Sequence, residues 1–113
     1  MNDPFIQAIA GRVRSVLADE PQQSIDLLVA TLRASPDAVR LLVEGSSTID
    51  VALLIDVVAA LVRGFAIDPQ WLLTGQYDPT VHRRALLLAE DRGIDGERAI
   101  RQFVREQYYK LVP

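Results

Sequence analysis

Asp68-Pro69-Gln70-Trp71-Leu72-Leu73-Thr74-Gly75 is the stretch on which the fold turns. Asp followed by Pro starts a helix: the carboxylate accepts from orphan amides of the first turn, and Pro sits where no donor is lost. Trp71, Leu72 and Leu73 then give one apolar turn, and Gly75 supplies a left-handed stop. The reading is a short helix pinned into a core by Trp71.

The same punctuation recurs outward in both directions. Asp3-Pro4 opens a first helix, with Phe5, Ile9, Val13, Val16 and Leu17 at three- and four-residue steps, ending before Pro21. Ser24 is expected to cap a second helix, Ile25 to about Arg33, and Ser35-Pro36 a third that ends at Gly45. Ser47 with Asp50 approximates a capping box for a fourth, running to about Gly64. Asp68-Pro69 opens the fifth. Asp78-Pro79 opens a sixth that stops near Gly93, and Asp95 is expected to cap a seventh reaching about Leu111. No strand alternation, repeat or low-complexity tract interrupts the series, so the expected fold class is all-α.

A chain of 113 residues, half of them hydrophobic, makes one domain, or one domain with an appendage, and can build a core without staples. With no cysteine, disulfides and thiolate metal sites are excluded, and His82 alone builds no metal centre. The longest apolar stretch, Val51 to Val62, is broken by Asp56 and is too short to span a bilayer. The N-terminal residues include Asp3 and Pro4 and lack a basic leader, which suggests a cytoplasmic protein. No membrane contact and no cofactor are expected. Glu90-Asp91 and Asp19-Glu20 are adjacent in sequence, so on a helix they point about 100° apart and form no acid/base pair. Without a Gly-rich phosphate loop or a nucleophile–base pair either, no enzyme is expected.

The 68–75 stretch resembles the closing helix of the lambda-repressor-like (XRE-type) helix-turn-helix domain of bacterial regulators, in which Trp, Leu-Leu and Gly stand at this spacing. The resemblance covers about two thirds of the chain. It implies a five-helix domain over residues 1–76 and a C-terminal helical extension over 77–113, the latter for dimerisation or partner binding. It makes Ile25–Leu32 the positioning helix and Pro36–Glu44 the recognition helix, with Leu28, Leu32, Val39, Leu42 and Val43 turned inward. It implies DNA contacts from Ser35, Asp37, Ala38, Arg40 and Leu41, and from the following loop Ser46-Ser47-Thr48.

The residues at those positions make a degenerate recognition helix. Arg40 is the one strong base reader; Ala38 and Leu41 suit thymine methyls, and Asp37 and Glu44 repel phosphate. Net charge is −3, divided as −5 over residues 1–78 and +2 over 79–113, so the segment expected to meet DNA is the acidic one. The expected function is therefore a small DNA-binding transcriptional regulator with modest DNA affinity. The alternative is a helix-turn-helix module that binds a protein partner instead of reading DNA.

A homodimer is expected from two features: the almost wholly apolar fourth helix, which needs cover from the C-terminal helices or a second copy, and the face Ala99, Ile100, Phe103, Val104 and Leu111 on the seventh. On that seventh helix Arg98, Arg101 and Arg105 form a stripe with no acid at its own spacing, flanked by Tyr108 and Tyr109. This basic tail surface suits phosphate or an acidic protein surface. His82-Arg83-Arg84 adds a second basic cluster.

Overall fold

In a computed structural model, which describes residues 4–32, 36–45 and 49–112, the chain is a series of α-helices, with no strand among those residues. They are α1 (Pro4–Ala18), α2 (Gln22–Thr31), α3 (Pro36–Glu44), α4 (Val51–Phe65), α5 (Pro69–Thr74), α6 (Pro79–Ala89) and α7 (Ile94–Leu111). No helix is long and apolar enough to cross a membrane among the described residues. All-α is therefore right.

The Asp-Pro starts form as their chemistry dictates. Asp68 Oδ1 accepts from the Gln70 amide at 2.9 Å, and α5 closes on Gly75 at φ 81°, a left-handed turn that glycine enters without strain. Asp78 caps α6 through the amides of Thr80 and Val81. The two starts are coupled: Asp68, only 2% exposed, uses Oδ2 to accept from the Asp78 amide at 2.9 Å. One buried carboxylate thus organises two helix ends, its oxygens divided between them.

Four expected boundaries shift. α2 begins at Gln22, so Ser24 lies inside its first turn and is not the cap. Pro21, with ψ 154°, holds the extended position before the helix, and Gln22 bonds Asp26 at 2.9 Å. α4 is capped by Asp50 itself, which accepts from the Ala52 amide at 2.9 Å. Its expected capping-box partner Ser47 lies outside the described residues, as does Arg33, the expected end of the second helix. α6 stops at Ala89, short of Gly93, because a turn follows in which Asp91 accepts from the Gly93 amide at 2.9 Å. Asp95 falls in the first turn of α7, whose N-cap is Gly93. There it stands with Glu97 at the positive end of the helix dipole.

The turn between α6 and α7 is fixed by a residue far away in sequence. Arg63, near the C-terminus of α4, donates to the Gly93 carbonyl at 2.9 Å and the Asp91 carbonyl at 3.4 Å. Arg92 reciprocates by donating to the Arg63 carbonyl at 3.1 Å. Gly96 is buried against the Asp91 carbonyl, so closely that a Cβ there would collide with backbone.

The core gathers around α4. Leu54, Ile55, Val57, Val58, Ala59, Leu61 and Val62 are buried, and α7 covers more of this helix than any other element does. Ile100, Phe103, Val104 and Tyr108 supply the α7 side, while Ile9, Ala10, Val13 and Leu17 supply the α1 side. All belong to one cluster, which runs across the boundary expected near residue 76. Most of the apolar surface that argued for a second copy is thus covered within a single chain.

Two arginines of α1 fasten the helix ends around it. Arg12 donates to the carbonyls of Leu72 and Leu73 at 2.8 and 3.1 Å, satisfying acceptors that the end of α5 leaves open. Burial lowers its pKa from the usual arginine value. Arg14 does the same for Leu42 at the end of α3, at 3.3 Å. Leu72 and Leu73 are fully buried, whereas Trp71 is only half-buried, beside Val16, Ile67 and Tyr77. The anchor is therefore the leucine pair and not, as expected, Trp71, which only flanks it.

Candidate functional site

The spacing of α3 sorts its side chains cleanly. Val39 and Leu42, three residues apart, are buried at 2% exposure each and face α1. Leu28 is buried and Leu32 half-buried, as expected; the side chain of Val43 lies outside the description. Asp37, Arg40, Leu41 and Glu44 face solvent, with Ala38 half-buried at the edge. Leu41 is 51% exposed, so its apolar surface is on offer. Ser35, Ser46, Ser47 and Thr48, the remaining expected DNA contacts, lie outside the described residues.

Arg40 is occupied by its own helix. Its guanidinium lies 3.5 Å from Asp37 at i−3 spacing, with both side chains largely in water. Such a pair contributes little to stability, on the order of 0–1 kcal/mol, and opens at small cost. The outer face thus carries two carboxylates, one guanidinium and one exposed leucine.

The arginine stripe of α7 divides into three unlike positions. Arg98 is exposed. Arg105, also exposed, lies 5.9 Å from the ring centre of Tyr109. Arg101 is half-buried and bonds Glu97 at 3.5 Å. The expected acid-free stripe is corrected here: Glu97 stands four residues before Arg101 and reaches it by the ordinary i,i+4 geometry. Tyr108 is buried, its ring 5.6 Å from Phe5, while Tyr109 stays exposed. In the other basic cluster, His82 Nδ1 lies 2.7 Å from the Tyr77 hydroxyl, and Arg84 stacks over Phe103 at 5.3 Å. Arg83 is exposed.

Between α2, α4 and the first turns of α7 lies a cleft of about 630 Å³. Leu27, Leu28 and Leu32 line one side, Ala59 and Ala60 the floor, and Ile100 the far wall. Asp56, Arg63, Arg92, Glu97 and Arg101 line it too, and the Nε of Arg63 is buried without a hydrogen-bond partner. Glu97 is shared, 3.5 Å from Arg101 and 3.9 Å from Arg63. Burial raises the Asp56 pKa above the ordinary carboxylate value; Asp50 and Glu97 add to the rise, and Arg101 opposes it. Sequence reasoning singled out Asp56 as the break in an apolar helix but not the cleft it lines. The partners come from helices forty residues apart, and no local pattern joins them.

Among the described residues no group of three or more His, Asp or Glu side chains is placed to hold a metal ion. Compared with known proteins, the chain matches no family model, no curated protein and no solved structure.

Proposed function

We propose that this chain is a small transcriptional regulator of the helix-turn-helix kind, which lays the outer face of α3 against DNA and acts as a dimer. The observation that supports this reading is the presentation of α3. A nine-residue helix rests on α1 through Val39 and Leu42, is fastened at its end by Arg14, and turns Arg40 and Leu41 outward. A rigidly seated helix with a free outer face is what major-groove reading requires. With the apolar faces of α4 and α7 consumed internally, the dimer contact falls to the apolar side chains still exposed in the C-terminal helices: Leu86, Leu87, Ile94 and Tyr109.

A second reading is favoured by the Asp37–Arg40 pair. A face whose cation is already paired and whose other charges are acidic suits a protein partner, with Leu41 as the apolar contact. One experiment separates the two. Random-sequence DNA is selected on the intact protein at about 50 and 150 mM salt, where phosphate contacts weaken steeply with salt. The regulator reading expects retention at low salt, and a loss of about 1–3 kcal/mol of preference at one base position in Arg40→Ala. No DNA retained at either salt overturns it and leaves the protein-docking reading.

A further inference from the structure

The cleft between α2, α4 and α7 is rich in hydrogen-bond donors at one end, and the DNA reading leaves it unused. Its volume of about 630 Å³ lies within the range of small-ligand pockets, about 300–1,000 Å³. The lining sets three arginines, Arg63, Arg92 and Arg101, against two carboxylates, Asp56 and Glu97. The cleft is therefore net positive in a chain whose overall charge is −3.

The donors are not all taken up. Arg63 uses Nη2 on the carbonyls of Asp91 and Gly93 and holds Nη1 3.9 Å from Glu97, but its Nε is buried with no partner. A buried N–H without an acceptor is costly and rare, and it marks a place where an acceptor is missing. Arg92 is exposed and donates through Nη1 to the Arg63 carbonyl; its other nitrogens meet no acceptor among the described residues. Glu97 is already shared between Arg63 and Arg101. Asp56 precedes Arg63 by seven residues on α4, two turns or roughly 10 Å, so it stands at the other end of the cleft. There Arg101 acts on it through charge. The leucine of the lining that offers apolar surface is Leu27, 70% exposed, with Ala60 and Phe65 half-buried on either side of Arg63 along the chain.

We propose that this cleft binds a small organic carboxylate, its oxygens accepting from Arg92 at the Arg63 end and its apolar body resting on Leu27 and Ala60. The planar fork of a guanidinium matches the two oxygens of a carboxylate, which supplies the acceptors this end lacks. An amine is disfavoured by the surplus of arginine. Asp56 is the one carboxylate in the cleft not bonded to an arginine, and its charge weakens an anion without blocking the end where Arg92 lies. The proposal is independent of whether α3 reads DNA.

The test uses the full chain and three probes: 3-phenylpropionate, 2-phenylethylamine of similar shape and opposite charge, and inorganic phosphate. Binding is followed by the chemical shifts of backbone amides and of the Arg63 Nε–H. The carboxylate is expected to give saturable shifts at Arg63, Gly64 and Arg92, at least about tenfold tighter than the amine, as a charge-assisted hydrogen bond requires. Arg92→Gln is expected to weaken it about fivefold, the scale of such a bond at an exposed side chain. Asp56→Asn is expected to tighten it by about twofold or more, because a repelling charge is removed. Each variant is first checked for an unchanged fold by its amide spectrum. The proposal is overturned if the amine binds as well as the carboxylate, if Arg92→Gln binds as the parent does, or if Asp56→Asn weakens binding. It is overturned too if no saturation is reached by about 10 mM, beyond the weakest affinity worth a site. Phosphate binding as tightly as the carboxylate overturns the organic ligand, since the apolar body then contributes nothing. Shifts of the same amides with protein concentration alone assign the cleft to a second copy and overturn it as well.

Discussion

α4 and α3 meet their surroundings in opposite ways. α4 buries seven of its fifteen residues, and its terminal arginine, Arg63, is bonded into the turn between α6 and α7. α3 seats Val39 and Leu42 on α1, and its arginine, Arg40, pairs in open water with a neighbour on the same helix. Burial ties α4 to almost every other element, so its residues answer to packing. The outer side chains of α3 answer to little inside the molecule and are free to be selected for a partner. Stability and recognition thus lie on different helices, and substitutions on one should register weakly on the other.

The sharpest way to break that division is a pair of leucines. Leu61 is fully buried in α4, and Leu27 on α2 is 70% exposed. Leu61→Ala should cost about 3–5 kcal/mol, because the cavity has packed neighbours on every side. Leu27→Ala should cost less than about 0.5 kcal/mol. Urea unfolding of the two variants measures both; comparable losses would mean that the core does not centre on α4.

Gly96→Ala probes the joint that brings α7 onto α4. Its Cβ would collide with the Asp91 carbonyl, which is backbone and cannot swing aside. A loss of about 2–3 kcal/mol is expected, the cost of shifting a packed turn, with the melting temperature as readout. An unchanged melting temperature would show that the turn is not held tightly by Arg63.

How far these contacts could be read from sequence follows from their reach. The Asp-Pro starts at Asp68 and Asp78 were legible because a cap, its proline and its amides lie within four residues. The two faces of α3 were legible from their spacing. The pair Glu97–Arg101 follows the same i,i+4 rule and is legible once Glu97 is counted with the arginines that share its spacing. Arg12 on Leu72 and Leu73, and Arg63 on Gly93, were not legible: sixty and thirty residues separate the partners, and an arginine carries no local mark of the carbonyl it will meet. The half-burial of Trp71 was hidden for a related reason, since only the tertiary position of α5 decides whether the tryptophan or the leucine pair points at α4.

Arg12→Ala tests one of those unseen contacts. It strips donors from the carbonyls of Leu72 and Leu73. A loss of about 2 kcal/mol is expected, since hydrogen bonds from a charged donor contribute on the order of 1.5–3 kcal/mol and water replaces part of them at a half-buried site. Hydrogen exchange should quicken first at α5. Uniform quickening over the whole chain would place Arg12 in the global core instead of at a local fastening.

Asp56→Asn carries the smallest expected effect and has the opposite sign. Burial raises the Asp56 pKa, so the folded chain holds the proton to higher pH than the unfolded chain does. The ionised carboxylate therefore costs stability above the folded value. That cost fades as pH falls through the folded value toward the ordinary carboxylate range near about 4. Asparagine never ionises, so the variant should be more stable than the parent near neutral pH, by less than about 1 kcal/mol because water still reaches the half-exposed group. The advantage should shrink as the solution is acidified toward about pH 4. If Asp56→Asn is instead less stable at neutral pH, Arg101 outweighs the desolvation, and the carboxylate is a structural partner of α7.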